Sequence, residues 1–215
     1  MYKNESYWNT FYSNSQTLYS PSPFCQSEYL KGYLPKDYIL VELGCGAGAD
    51  SLYFSQMGFD VIAVDGSEVI IKKNQNTNIE FLCKNLGDNE EVEQLFYYIN
   101  EIANKKKKKI LIYTRFFFHA ITEDVEDLLI SMINEILGEN ASVVSEFRVR
   151  EDEKLYKVYD NHYRRYIDTN IFIKKIINRG FDISKFDKNR GFSPYKDEDP
   201  YICRIEFKKW YENLI

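Results

Sequence analysis

Three glycines within five residues, directly after an apolar run, constrain the fold of this 215-residue chain more than any other feature. The apolar residues 38–41 lead into Glu42-Leu43-Gly44-Cys45-Gly46-Ala47-Gly48. An apolar run that stops at clustered glycines is typical of a buried strand that turns sharply into a helix. Glycine lets the backbone approach a ligand closely, and the N-terminus of the next helix offers free N–H groups. The pattern therefore predicts a ligand-binding turn.

A second apolar run, residues 60–64, ends in Asp65. An acid at the end of the second strand suits hydrogen bonds to ribose hydroxyls, so the two elements together indicate a nucleoside cofactor. Gly44-x-Gly46-x-x-Ala49 fits the dinucleotide fingerprint in its Gly/Ala form, whereas Gly44-x-Gly46-x-Gly48 fits an S-adenosylmethionine loop. Glu42 favours the second pattern, because its carboxylate would repel a pyrophosphate and attract the cationic amino group of S-adenosylmethionine.

At these residues the chain resembles the class I S-adenosylmethionine-dependent methyltransferases. Glu42-Leu43-Gly44-Cys45-Gly46-Ala47-Gly48 looks like their first motif, and Val64-Asp65-Gly66-Ser67 looks like their second. The resemblance implies S-adenosyl-L-methionine as the cofactor, S-adenosyl-L-homocysteine as the product, and a doubly wound, Rossmann-like α/β fold with seven strands. The candidate cofactor-binding residues are Glu42, Gly44, Cys45, Gly46, Gly48, Asp65, Gly66, Ser67, Asn85, Leu86 and Arg115.

Two of these assignments have alternatives. Asn85 follows the third predicted strand, where the family commonly has an acid or amide for the adenine amino group, and Asp88 is the rival for this role. Leu86 could pack on the adenine ring. Asp50, at the start of the first helix, could cap or support the loop, or it could lie near the ribose as a polar residue does in many relatives.

Strands and helices are predicted to alternate after residue 38, as in a parallel sheet covered by helices. The predicted strands are 38–43, 60–64, 79–82, 109–114 and 141–147, and the predicted helices are 49–57, 68–76, 89–102, 122–138 and 168–180. Two final strands without a helix between them would form an antiparallel pair. Residues 1–37 are predicted to form an N-terminal helical cap of two short helices over the methyltransferase domain, residues 38–215. Alternatively, their aromatic side chains only pack a small annex.

Composition restricts the partners of the protein. The net charge of −5 argues against non-specific nucleic-acid binding. The four cysteines include no C-x-x-C pair, so neither a zinc site nor a disulfide framework is expected. The N-terminus lacks the apolar core of a signal peptide, and no segment is long enough to cross a bilayer. We expect a cytoplasmic monomer or homodimer with no metal.

Polar side chains follow the fourth and fifth predicted strands, where doubly wound sheets bind their ligands. Arginine forks bind phosphate or carboxylate oxygens, and phenol and imidazole groups add neutral donors. The predicted substrate-binding residues are Tyr12, Arg115, His119, Glu146, Arg148, His162, Tyr163, Arg164 and Arg165, and the candidate catalytic residues among them are His119, His162 and Arg148. An alcohol acceptor would need a base, for which His119 or His162 is the best candidate; an oxyanion would need none. Packing of His119, and surface ion pairs of Arg164 and Arg165 with Asp160 and Asp168, are the alternatives.

The ordered set of Arg115-Phe116-Phe117-Phe118-His119, Glu146-x-Arg148, His162-Tyr163-Arg164-Arg165 and Asp197-Glu198-Asp199-Pro200 is similar to a subgroup of bacterial small-molecule methyltransferases of capsule and surface-polysaccharide gene clusters. That resemblance implies O-methylation of a small anionic acceptor, namely a phosphorylated, phosphoramidate or sugar-nucleotide-linked precursor. Two other functions stay open on the sequence: an NAD(P)-dependent oxidoreductase and a non-catalytic S-adenosylmethionine-binding partner subunit.

Overall fold

The computed structural model describes residues 7, 9–10, 13, 20–74, 78–158 and 162–210. A seven-stranded sheet with the order β3-β2-β1-β4-β5-β7-β6 forms its centre. The strands are β1 (Tyr38–Leu43), β2 (Asp60–Asp65), β3 (Glu80–Cys83), β4 (Lys109–Arg115), β5 (Ala141–Arg148), β6 (Phe181–Asn189) and β7 (Ile202–Lys209). The predicted doubly wound α/β sheet and its closing antiparallel pair are confirmed.

Helices cover both faces of the sheet. They are α1 (Ala49–Gln56), α2 (Glu68–Lys73), α3 (Asn89–Lys106), α4 (Glu123–Met132) and α5 (Thr169–Asn178). The predicted helix 122–138 is interrupted, because α4 changes into a π-helical turn, Ile133–Leu137, and then a 3-10 turn. In the part of the chain that the structure describes, no helix is both long enough and apolar enough to cross a membrane.

The direction of the strands determines where the functional side chains lie. The strands from β1 to β5 are parallel, and β7 is antiparallel to β5 and β6. The register pairs Glu42 with Tyr113, Asp65 with Cys83, and Arg115 with Glu146. The chain order reverses between β1 and β4, and a reversal of this kind is where open α/β sheets bind ligands.

Residues 20–37 pack against the sheet as a series of turns and contain no helix. Backbone N–H groups of Ser27, Leu30 and Tyr33 each donate to the carbonyl three residues earlier. The Phe24 ring is fully buried and stacks on Tyr113 of β4, with the ring centroids 5.2 Å apart. This segment therefore belongs to the core, which corrects the prediction of a second helix in the cap.

The four described residues before residue 20 are helical. One of them, Asn9, accepts a hydrogen bond from Ser67 through Oδ1. Tyr12, predicted to contact the substrate, lies outside the described residues. The predicted cap over the cofactor therefore stays a prediction for residues 1–19.

Candidate functional site

A cavity of about 620 Å³ opens at the carboxyl ends of the first four strands. Its volume is in the range of sites that bind small molecules. It lies at the reversal of chain order, where the strand ends of β1 and β4 diverge into separate loops. The predicted cofactor-binding residues in its wall are Glu42, Gly44, Cys45, Gly46, Asp65, Gly66, Ser67, Asn85, Leu86 and Arg115.

The glycine turn after β1 is held by β2 and by an aromatic ring. The N–H groups of Gly44 and Cys45 both donate to the carbonyl of Val64, at 2.8 and 3.0 Å. Gly44 has a φ of 75°, and a Cβ at this position would lie 2.5 Å from Cδ2 of Phe117. Glycine is required here by the backbone conformation and by the ring.

Gly48, predicted to bind the cofactor, lies directly before α1. It lies outside the cavity wall, has a φ of 72° and precedes the first residue of α1. A Cβ on Gly48 would lie 2.9 Å from Cζ of Phe81. The left-handed backbone before α1 and the nearby ring of Phe81 in β3 therefore explain why position 48 is a glycine.

Asp65, at the end of β2, is oriented by the backbone of both neighbouring loops. Its Oδ2 accepts from the N–H of Gly46 and its Oδ1 from the N–H of Ser67, both at 2.9 Å. Burial raises the pKa of this carboxyl, and the hydrogen bonds from Ser67 and Gly46 oppose the shift. The carboxylate is thus fixed at the cavity wall, where unused lone pairs can accept from ligand hydroxyls.

Two buried carboxylates, Glu42 and Asp50, form an acidic corner of the cavity. Asp50 accepts three hydrogen bonds of 2.7 Å, from the N–H and Oγ of Ser22 and from the hydroxyl of Tyr113. Glu42 accepts from the hydroxyl of Ser51. Burial and then the neighbouring Asp50 raise the pKa of Glu42 well above its usual value. A cation bound at this corner would offset the repulsion between the carboxylates.

Arg115 is the one basic residue among the described side chains that line the cavity. Its Nε donates to Oε1 of Glu146 at 3.2 Å. Glu146 is fully buried, and its Oε2 accepts from Nε of Arg204 at 2.7 Å. Ser193 donates to the same carboxylate at 2.9 Å. Glu146 therefore holds two arginines in place, which disfavours the predicted direct contact of Glu146 with the substrate.

Phe116 separates this cavity from the cationic residues beyond β4 and β5. Its backbone has a φ of 53°, in the left-handed region that non-glycine residues rarely occupy. Its N–H donates to the carbonyl of Glu146 at 2.8 Å. The guanidinium carbons of Arg115 and Arg148 lie 4.5 and 5.3 Å from the centre of its ring. The ring of His119 lies against it at 5.3 Å.

Two of the predicted substrate-binding arginines are committed to partners within the protein. Arg148 is buried, and its Nη1 lies 2.7 Å from Oδ2 of Asp152 while its Nη2 pairs with Glu198. Arg165 pairs with Glu126 at 2.5 Å and also donates to two backbone carbonyls. Their charges are balanced by Asp152, four residues from Arg148, and by Glu198 and Glu126 from distant parts of the chain. The catalytic role predicted for Arg148 is therefore disfavoured.

The remaining predicted substrate residues lie together behind Phe116. His119 is buried in the 3-10 turn Phe118–Ala120, and its carbonyl accepts from the N–H of Arg165 at 2.7 Å. His162 lies 3.1 Å from Nη2 of Arg164. Tyr163, between them in sequence, is half-buried. The structure thus brings the segment after β5 next to the loop after β4, as the sequence predicted.

Comparison with known proteins identifies the family. The family model described as tellurite resistance protein TehB matches residues 32–147, more than half of the chain. The chain belongs to the TehB family. No curated protein matches it.

Solved structures similar to this TehB-family chain share its fold. A methyltransferase dependent on S-adenosylmethionine from Anabaena variabilis has 18% identity and a TM-score of 0.68, with 96% of this chain and 93% of that chain covered. A TehB-like enzyme of the same class from Corynebacterium glutamicum has 15% identity and a TM-score of 0.57, with 95% of each chain covered. Magnesium protoporphyrin IX methyltransferase from Synechocystis, solved with bound S-adenosylmethionine, has 12% identity and a TM-score of 0.56, with 97% and 80% covered.

Family and fold together settle the cofactor class. The predicted class I methyltransferase fold is confirmed, and this TehB-family protein is an S-adenosylmethionine-dependent methyltransferase. S-adenosylmethionine rather than a nicotinamide dinucleotide is its cofactor.

Sequence reasoning missed several residues of the cavity wall. Phe116, Phe117 and Ala120 come from the loop after β4, and Glu91 comes from the start of α3. Other wall residues not predicted are Ser20, Ala47, Ala49, Glu68 and Cys83. Phe116 and Phe117 belong to the aromatic run between Arg115 and His119. The sequence placed this run at the edge of the predicted cleft but gave no reason to assign either ring to the cavity wall.

Asp88, the alternative to Asn85 for contacting the adenine, has a role in capping a helix. The side chain of Asp88 accepts from the N–H groups of Glu90 and Glu91 and caps α3. Asn85 lines the cavity, and its N–H donates to Oε2 of Glu91 at 3.0 Å. Asn85 is therefore the better placed of the two for the adenine edge.

We predict that Gly44→Ala lowers the free energy of unfolding by about 1–3 kcal/mol, because the methyl group meets Phe117 and the backbone is left-handed. It should also weaken binding of S-adenosylhomocysteine. Gly32→Ala is the matched control, since a Cβ at Gly32 has nothing within 4 Å. Urea unfolding and calorimetry test both variants, and equal behaviour of the two would contradict the packing argument.

We expect Arg148→Ala to cost about 3–5 kcal/mol of stability, because it leaves Glu198 buried without its cation and leaves Asp152 with Lys157 alone. Arg150→Ala serves as the control. Arg150 is exposed and pairs with Asp168, and surface pairs contribute about 0–1 kcal/mol. Thermal unfolding measures the difference. A normal melting temperature with a raised acceptor KM for Arg148→Ala would show instead that Arg148 binds the substrate.

Proposed function

We propose that this protein transfers the methyl group of S-adenosylmethionine to a small anionic acceptor that binds beyond the ends of β4 and β5. The observation that carries the proposal is the division of charge across the site. Glu42, Asp50 and Asp65 line the cavity on the β1 and β2 side, and Arg115 lines it on the β4 side. Further cations lie beyond Phe116.

The acidic side of the cavity suits the cofactor. The carboxylates of Glu42 and Asp50 would attract the ammonium group of the methionine part, and Arg115 would attract its carboxylate. Asp65 would accept hydrogen bonds from the ribose hydroxyls. Asn85 and Leu86, after β3, would contact the adenine. Each assignment follows the order of the strands across the sheet.

The chemistry demands little of the protein beyond positioning. The sulfonium of S-adenosylmethionine supplies an activated methyl group. The protein must hold the acceptor atom in line with the sulfur–methyl bond, and this alignment supplies much of the acceleration. Closure of the site from the N-terminal side, where Ser67 donates to Asn9, would exclude water.

The acceptor class is supported by the basic and donor groups around His119. The pKa of His119 is lowered well below its usual value by burial, and further by Arg148, Arg164, His162 and Arg165. Because Asp152, Glu198 and Glu126 balance most of the charge of Arg148 and Arg165, an anion there would be held mainly by hydrogen-bond donors. The TehB description of the family names tellurite, an oxyanion, and the sequence resemblance to capsule-cluster enzymes indicates a phosphorylated, phosphoramidate or sugar-nucleotide-linked precursor. All of these acceptors carry anionic oxygen atoms. A role in capsular or surface-polysaccharide biosynthesis follows from the resemblance to the capsule-cluster enzymes.

We predict that S-adenosylhomocysteine binds one to one and that Asp65→Ala weakens binding by about 10- to 100-fold, the loss of hydrogen bonds to a charged group. Asp60→Ala is the control, because Asp60 begins the same strand and pairs with Lys106 and Lys108 at its far end. Isothermal titration calorimetry measures both. No binding to the unmodified protein, or equal loss in both variants, would contradict the proposed cofactor placement.

We predict that cofactor binding releases protons, because the ammonium group favours the ionised form of Glu42, whose pKa is raised in the free protein. Affinity should therefore rise with pH as Glu42 ionises. Glu42→Gln should remove this dependence. Calorimetry in pairs of buffers of different ionisation enthalpy, repeated from about pH 5 to about pH 8, counts the protons. The same proton release in the variant would assign the effect to another group.

A further inference from the structure

Both histidines of this chain use the lone pair of the imidazole to accept a hydrogen bond from a group that can only donate. A neutral imidazole has one acceptor nitrogen and one N–H donor. If the acceptor nitrogen is already occupied by a donor, the ring has no lone pair with which to remove a proton from a substrate. The geometry at His119 and His162 meets this condition in two different ways.

At His119 the donor belongs to the backbone. The N–H of Arg148, at the end of β5, donates to Nδ1 of His119 at 3.1 Å. A backbone N–H cannot accept, so Nδ1 is the unprotonated nitrogen and Nε2 carries the hydrogen. The ring is buried against Phe116, and the backbone carbonyl of His119 is bound by the N–H of Arg165. Both the position of the ring and its tautomer are therefore fixed by neighbouring elements.

At His162 the donor is a guanidinium. Nη2 of Arg164 lies 3.1 Å from Nε2 of His162. Arginine has no acceptor atom, so Nε2 accepts and Nδ1 carries the hydrogen. The ring stacks on Tyr7, with the ring centroids 5.0 Å apart. The two histidines thus have opposite tautomers, and in each of them the remaining nitrogen is a donor.

The surrounding charges oppose protonation of His119 from each side. Arg148 faces it from β5, and His162, Arg164 and Arg165 face it from the segment before α5. Glu126 of α4 pairs with Arg165. A second proton on Nδ1 of His119 would break the hydrogen bond from the N–H of Arg148.

We propose that His119 and His162 are hydrogen-bond donors to the acceptor and that the site contains no histidine base. The proposal rests on the proposed function and deepens it. The acceptor must arrive with its nucleophilic atom already ionised, which selects an oxyanion over an alcohol.

The methyl transfer to an oxyanion requires no proton transfer. A lone pair of the acceptor oxyanion forms the new bond to the methyl carbon, and the electron pair of the sulfur–methyl bond returns to sulfur. The anion loses one negative charge, and the sulfonium becomes a neutral thioether. The N–H groups of the two histidines contribute by holding the oxyanion in line, as neutral donors do in other anion sites.

Long-range proton–nitrogen NMR on the intact, uniformly labelled protein tests this proposal without turnover. Only two imidazoles are present, and His162→Gln assigns them. We expect His119 as the Nε2–H tautomer and His162 as the Nδ1–H tautomer. The ring of His119 should not titrate between about pH 5.5 and about pH 8. The reversed tautomer in either ring, or an ordinary titration of His119, would overturn the proposal.

A kinetic measurement separates donor from base, with sodium tellurite as the probe acceptor and release of S-adenosylhomocysteine as the readout. If His119 is a donor, the unmodified protein should be at most about tenfold faster than His119→Gln, because glutamine keeps an N–H donor. The ratio of the two rates should then be the same at every pH. For a base, the ratio grows with pH towards about 10²–10⁴, and this result would overturn the proposal. Failure of the proposed function is distinguishable, because S-adenosylhomocysteine would then not bind while both tautomers could still be observed.

Discussion

The contact between the ring of Phe117 and the backbone of Gly44 joins the two halves of the site. Gly44 belongs to the turn after β1, and Phe117 belongs to the loop after β4. The ring occupies the space that any Cβ at Gly44 would need. Since β1 and β4 are the strands between which the chain order reverses, this contact sets how the two loops diverge. The cavity between them depends on it.

The buried carboxylates of this protein fall into two groups with different consequences. Glu146, Asp152, Glu198 and Glu126 each neutralise an arginine or lysine, so they fix loops and leave little net charge. Glu42 and Asp50 have hydroxyl and backbone donors but form no ion pair with any residue that the structure describes. An unbalanced pair of acids at a cavity wall is costly, and a bound cation would relieve that cost. The wall of the cavity is therefore prepared for a ligand, whereas the arginine-rich side is largely self-contained.

Most of the fold and much of the cavity wall could be predicted, because both depend on local patterns. Buried parallel strands appear as short apolar runs, and residues at their carboxyl ends meet at one edge of the sheet. This reasoning placed Glu42, Asp65 and Asn85 correctly in the wall. It did not predict Glu91, which reaches the cavity from a helix, nor the role of Gly48, whose neighbour Phe81 belongs to another strand.

The sequence by itself determined the class of the protein: the order of its strands and helices, the glycine turn and the acid after β2 follow from residues close together in the chain. Only the tertiary structure decided what the polar residues after β4 and β5 do. Arg148 is paired with Glu198 and His119 is bound by the backbone of Arg148, and both contacts join residues that are far apart in sequence. A charge or a lone pair is available for chemistry only if no neighbour has taken it. Which neighbours are present is decided by packing, and local sequence patterns do not encode it.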